Sequence, residues 1–194
     1  MSALTADEAG GANVAAFLDM IAYSEIGPEL LALRADGVEV TALVRPAHET
    51  QRLEAAGVEI VRGDASDLTT VTNAADGCRH IYHLAAARGS HKLGYRAYHL
   101  LNRGLSESVG RAALAVGVER VVFTSAATLT GYTGPERQTE DTPARPNSAY
   151  RSSRLVDEGI FDRFAKRDGL DVVTARVPPV MGPGARGWAR TVRS

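Results

Sequence analysis

Histidines and a lone thiol are the first places to look for chemistry in this sequence. His80 and His83 stand three residues apart in the apolar run HIYHLAAA. On a strand, residues at that separation face opposite sides, so the two imidazoles do not converge on one ion. No cysteine or carboxylate pair completes a site around them, and no metal is expected. His91, Lys92, Arg96 and His99 form a basic cluster that reads first as a solvated face and second as a contact for an anionic substrate. The single cysteine, Cys78, rules out an internal disulfide framework and a multi-thiolate metal site, fits a reducing cytosol, and reads as a packing residue. Neither a phosphate-binding P-loop nor a Gly-x-Ser-x-Gly nucleophile elbow is present. Any chemistry must therefore come from residues that gain meaning from the elements carrying them.

The chain has 194 residues, 44% hydrophobic and 23% charged, with a formal net charge of -1. That suits one ordinary domain with a real core and gives no electrostatic bias toward nucleic acid or an acidic membrane. A small-molecule substrate is the expected partner. Asp7 and Glu8 stand where a signal peptide would be basic, and no run approaches the roughly 18 apolar residues of a membrane span. A cytoplasmic location away from membranes is the expectation.

From Gly37 onward, short β-branched runs alternate with helical patterns. GVEVTALVRP (37–46) predicts a strand stopping at Pro46, followed by a short helix over 48–56. VEIVRGD (58–64) predicts the next strand, 68–75 a polar helix, and HIYHLAAA (80–87) a further strand. A long helix follows, with Tyr98, Leu101, Leu105, Val109 and Ala112 near helical spacing up to a stop at Gly117. VERVVFTSAAT (118–128), a helix over 147–166 and LDVVTARVPP (170–179) complete the pattern. Strands separated by helices need crossovers, so the fold class is α/β, a doubly wound parallel sheet of Rossmann-like type covered on both faces.

Residues 1–36 read as a divergent segment filling the first strand–helix unit. In a sheet of order 3-2-1-4-5-6 the first strand is central, and AAFLDMIA (15–22) is its candidate. Val14, Phe17, Leu18 and Ile21 also fit a helical stripe, so both patterns stay open. After Gly27-Pro28 a helix is expected over 29–35, with Gly37 as its stop.

VTALVRP, VEIVRGDASDL, HIYHLAAA, LNRG, GVERVVFTSAAT, Tyr150-Arg-Ser-Ser-Arg154 and ARVPPVMGPG occur in that order. Together they resemble the landmarks of the NAD-dependent epimerase/dehydratase group of extended short-chain dehydrogenases. The resemblance covers residues 37–184, and leaves 185–194 as a tail with Arg186, Arg190 and Arg193 around Trp188. It implies a cofactor, NADP or NAD, and a small hydroxy or carbonyl substrate. Arg45 falls where a carboxylate would bind the adenosine ribose; a guanidinium there would pair a 2′-phosphate and favour NADP, although by itself it reads equally as a solvated strand-end arginine. Asp64 matches the family position that bonds the adenine amino group, or serves as a turn aspartate. Leu84, Ala85 and Ala86 end a strand where small side chains let a dinucleotide lie against the backbone. Asn102 matches a structural asparagine of the long helix. Members of the family often pair through their two long helices, here about 97–116 and 147–166, which implies a possible homodimer.

The resemblance also implies a tyrosine that exchanges a proton with substrate, a lysine one helical turn on that stabilises the phenolate, and a strand-end serine or threonine. Tyr150 supplies the first. Arg154 stands at the lysine position and keeps the charge with a different geometry. Ala126 stands at the serine position, leaving Ser125, on the opposite strand face unless the strand end is irregular, and Thr128 as hydroxyl candidates. At the glycine-rich phosphate turn only Gly27 remains, with Ile21 and Ser24 at the other two glycine positions. The chain stops soon after Gly184, where the family continues into a smaller substrate domain.

Three readings follow: a working or weakened NADP-dependent oxidoreductase, epimerase or dehydratase; a protein keeping the fold without redox chemistry, as a noncatalytic subunit or a cofactor-independent isomerase or cyclase; or a truncated or frame-disrupted version of a longer enzyme.

Overall fold

The structure, a computed structural model, describes residues 13–17, 30–87, 94–131 and 137–178. Its strands are β1 (Asn13–Phe17), β2 (Glu39–Val44), β3 (Glu59–Arg62), β4 (His80–His83), β5 (Arg120–Ala126) and β6 (Val172–Val177). Residues 30–35 belong to a helix, α1. It is followed by α2 (Gln51–Ala55), α3 (Leu68–Ala75), α4 (Tyr95–Val116) and α5 (Ala149–Asp168), with a 3-10 turn at Ala127–Thr130.

The described strands form one sheet of order β3-β2-β1-β4-β5-β6, and every pair is parallel. This is the expected doubly wound arrangement, with the order reversing at the centre. The central slot is filled by Asn13–Phe17, in register with Glu39–Leu43 on one side; Val14–Phe17 pair with His80–His83 on the other. The expected strand over 15–22 is thus corrected to an earlier start at Asn13; Ala15–Phe17 lie in β1, and residues 18–22 lie outside the described residues. The apolar run fits strand and helix alike, so its pattern alone did not fix the start; pairing with two neighbours does.

Two cores lie on opposite faces of the sheet, as crossovers on both sides require. Val40, Ala42 and Val44 of β2 pack with Leu30 of α1 and Leu53 of α2. Leu43, Ile81 and Phe123 pack on the other face against Val71 of α3, Val109 of α4 and Phe161 of α5. Alternation along β2 thus feeds both cores, so residues that leave its carboxyl end do so at a fixed height and direction.

The helices end where local chemistry dictates. Gly117 closes α4 in the left-handed region, at φ 73°, which a side chain would resist. Ser148 caps α5 by accepting from the Arg151 amide at 3.3 Å, so that helix starts at Ala149 rather than the expected 147. A Cβ on Gly110 of α4 would lie 2.1 Å from the Phe164 ring, so the missing side chain lets α4 and α5 approach closely. The helix expected over 48–56 is shortened to Gln51–Ala55, because residues before Thr50 are held in a turn.

Candidate functional site

The carboxyl ends of β2 and β3 on one side of the sheet's reversal point, and of β4 on the other, open where doubly wound folds bind ligands. Leu43, Arg45, Gly63, Asp64, Ala65, Ala85 and Leu105 line a shallow cleft there. Three of the residues expected to touch a cofactor, Arg45, Asp64 and Ala85, are therefore brought together. Arg45 follows the last residue of β2 and is exposed. Gly63 follows β3, and its amide donates to Val44 O at 2.9 Å, which ties the two strand ends together. A Cβ on Gly63 would meet Thr70 Cγ2 at 2.4 Å, so glycine is needed for α3 to pack this close.

Asp64 has the local role expected of a turn aspartate: its Oδ1 accepts from the amide and hydroxyl of Ser66, both at 2.8 Å. The side chain nevertheless stays exposed at the cleft. Asp67, not Asp64, caps α3, accepting from the Thr70 amide at 3.0 Å. Leu84 turns toward the other core, whereas Ala85 and Ala86 are buried and leave the wall small. The expected strand over 80–87 ends at His83, and residues 84–87 run on as irregular chain. Gly27, Ile21 and Ser24 lie outside the described residues, as do His91 and Lys92.

Asn102 connects this wall to the expected catalytic helix. Its Oδ1 accepts from the Ala87 amide at 2.6 Å, while its Nδ2 donates to Ser153 Oγ at 2.8 Å. Ser153 in turn donates to the carbonyl of Tyr150 at 2.7 Å. One fully buried amide thus holds both the segment after β4 and the first turn of α5. Tyr150 sits in that turn, partly exposed, with the edge of its ring toward Tyr98 at 6.3 Å between centroids.

Around β5 the arrangement is different. The strand is regular through Ala126, so Ser125 and Ala126 take opposite faces. Ser125 is buried, and its hydroxyl has no hydrogen-bond partner among the described residues. Ala126 offers no hydroxyl, and Thr128 lies half-buried in the 3-10 turn that follows. The strand-end irregularity that would have brought Ser125 to the Ala126 face is absent.

Arg154 departs most from expectation. Its side chain is 1% exposed, and Nη1 lies 3.1 Å from Asp157 Oδ2, itself fully buried. Nη2 donates to the carbonyl of Thr124 at 2.6 Å, and the guanidinium covers the Phe123 ring at 4.5 Å from its centroid. The planar fork thus braces the end of β5 and pairs with a carboxylate, where a compact ammonium has neither the reach nor the fixed geometry. Burial pushes the Asp157 carboxyl up to about 6, partly offset by Arg154 and Ser106. Burial, reinforced by Arg154, pushes His83 down to about 3, so its imidazole is neutral. His83 stacks on Phe123 at 5.7 Å and lies 3.5 Å from Ser106 Oγ.

Sequence reasoning missed this buried group of His83, Ser106 and Asp157. A signal existed in Asp157, three residues after Arg154 and thus one helical turn away. The other histidine of the HIYH run, His80, lies 3.9 Å from Glu119, and burial holds its pKa below the usual value.

Fold and cleft together define a doubly wound nucleotide-binding domain. The chain belongs to the NAD dependent epimerase/dehydratase family, whose model matches residues 26–193. It is similar to the L-arabinose 1-dehydrogenase (NAD(P)(+)) of Haloferax volcanii, with 29% identity over 137 residues, 64% of this chain and 54% of that protein. Among solved structures it resembles the Thermus thermophilus UDP-glucose 4-epimerase in complex with NAD, at TM-score 0.69 and 26% identity, covering 84% of this chain and 53% of that one. A dTDP-glucose 4,6-dehydratase from Streptomyces venezuelae, with a TM-score of 0.72 and 23% identity over 83% of this chain and 54% of the other, shares the fold. The chain spans between a third and just over half the length of the curated relatives it matches.

Proposed function

We propose that this chain binds NADP(H) in preference to NAD(H) and uses Tyr150 as acid/base toward a small hydroxy or carbonyl substrate, at a rate weakened by the burial of Arg154. The observation that carries the proposal is the grouping of Arg45, Asp64 and Ala85 on one cleft at the carboxyl ends of β2, β3 and β4, which lie on both sides of the central β1. An exposed guanidinium at the end of β2 suits a 2′-phosphate, and small buried residues after β4 leave room for a dinucleotide. When bound, the nicotinamide supplies a hydride donor or acceptor. The chain's own part is to hold the adenosine end, to orient Tyr150 through Asn102 and Ser153, and to move a proton at the Tyr150 hydroxyl.

The second reading, a fold kept without redox chemistry, draws on one specific observation. The cation expected beside Tyr150 is paired with Asp157 in the core, and Ala126 lacks the expected hydroxyl. The proposal also includes pairing of two copies through α4 and α5, supported by the exposed Leu100, Leu101 and Val156.

Titration calorimetry with NADP and NAD tests the main reading. The expected result is tighter binding of NADP, by about tenfold or more, and reversal of that preference in Arg45→Asp. Absence of binding by either dinucleotide overturns it. If the cofactor binds but the wild type turns over no hydroxy or carbonyl substrate, the second reading stands; turnover unchanged in Tyr150→Phe removes the role of Tyr150.

A further inference from the structure

Arg62, at the end of β3, does not line the cofactor cleft, yet its guanidinium is committed to the segment that follows Arg45. Nη1 donates to the carbonyls of Pro46 at 3.1 Å and His48 at 3.0 Å. Nη2 donates to Thr50 Oγ1 at 2.6 Å, and Thr50 donates in turn to Glu54 Oε1 at 3.0 Å. Between these anchors the His48 amide donates to Arg45 O at 3.0 Å, closing a turn that begins at Arg45 itself. Two backbone carbonyls and one hydroxyl from three different residues thus converge on one side chain. The planar fork reaches these acceptors from two nitrogens held in a fixed geometry, whereas an ammonium would have to reach all three from one atom. The consequence is a fixed path for residues 46–50, a delayed start of α2 at Gln51, and a fixed exit direction for Arg45.

We infer that Arg62 is a positioning residue for dinucleotide selection: by clamping the Pro46–Thr50 turn it presents the Arg45 guanidinium where a 2′-phosphate would sit. The inference rests on the reading of Arg45 given above. It concerns discrimination between NADP and NAD rather than the strength of dinucleotide binding as a whole, because only the phosphorylated ribose gains from a correctly held Arg45. A merely structural role would weaken both cofactors alike.

The test uses the full chain and two variants, Arg62→Ala and Arg62→Lys, titrated calorimetrically with 2′,5′-ADP and with 5′-AMP. Amide hydrogen exchange at His48 provides a readout independent of any ligand. The expected result is a loss of about tenfold in 2′,5′-ADP affinity for Arg62→Ala, the size of one hydrogen bond to a charged group. A smaller loss is expected for Arg62→Lys, with 5′-AMP affinity nearly unchanged and faster exchange at His48. An equal loss for both ligands, or no loss while His48 exchange accelerates, overturns the inference and leaves the role of Arg45 standing. Binding of neither ligand by the wild-type chain overturns both. Equal 2′,5′-ADP and 5′-AMP affinities in the wild type, unchanged by Arg45→Ala, remove the role of Arg45 and the inference with it.

Discussion

The two ends of the candidate site treat their arginines in opposite ways. Arg45, at the end of β2, is exposed at a cleft wall. Arg154, in the second turn of α5, is 1% exposed and bound to Asp157 and the Thr124 carbonyl. The same side chain thus faces an open cleft in one place and braces the core in the other. What separates them is the surroundings, a strand end opening to solvent against a helix face whose Arg154 and Phe161 both pack on Phe123 of β5. The residues proposed to hold the cofactor stay at an open cleft, whereas the arginine at the position the resemblance gives to a catalytic lysine is taken up in packing.

The sharpest way to break that contrast is to truncate both arginines. Arg154→Ala is expected to cost about 3–5 kcal/mol of folding stability, because it strands a buried carboxylate and a carbonyl. Arg45→Ala should lie within about 0.5 kcal/mol of wild type. Chemical denaturation measures both, and a small effect at Arg154 would return it to the cleft.

The pH dependence of stability comes next. His83 is neutral in the fold, with its pKa lowered from 6.5 to about 3, so its contribution is present above pH 6.5 and lost as pH falls. Asp157 is raised from 3.8 to about 6, so its contribution is present below 3.8 and lost as pH rises through about 6. Between pH 4 and 6 the two slopes oppose each other. Relative to wild type, His83→Asn should gain about 3 kcal/mol as pH falls from 6.5 to 4, whereas Asp157→Asn should lose stability over the same range. Denaturant midpoints collected across pH check both signs.

The link between the two ends gives a smaller effect. Asn102→Leu leaves the Ala87 amide without its acceptor and should cost about 1–3 kcal/mol. Faster amide exchange is expected at Ala87 and in the first turn of α5 together. Exchange at only one of them would show that Asn102 does not couple the two ends.

Much of the fold was legible because alternation and stop signals act locally. The polar helix at Leu68–Ala75 and the end of α4 at Gly117 follow from sequence pattern alone. The start of β1 was not legible, because NVAAF and the apolar run after it satisfy two periodicities and only pairing with β2 and β4 selects one. The cleft residues Arg45, Asp64 and Ala85 were found through the resemblance, whose landmarks run in order along the chain, and the parallel sheet brings their strand ends to one cleft. The direction of Arg154 was not, because a helix position specifies a face and not which neighbour will bind a long side chain. Asp157 made that choice, by burying a countercharge one turn away.

The central claim is that the cofactor edge works independently of the Arg154–Asp157 pair. It is tested most directly by titrating NADPH, followed by its own fluorescence, into the wild type and the double variant Arg154→Met with Asp157→Leu. Apolar replacement of a buried ion pair is often neutral for stability, so the double variant should fold. Binding of equal strength is expected in the two proteins, with a weakening of about tenfold in Arg45→Ala. Binding that vanishes in the folded double variant but is undiminished in Arg45→Ala would contradict this independence.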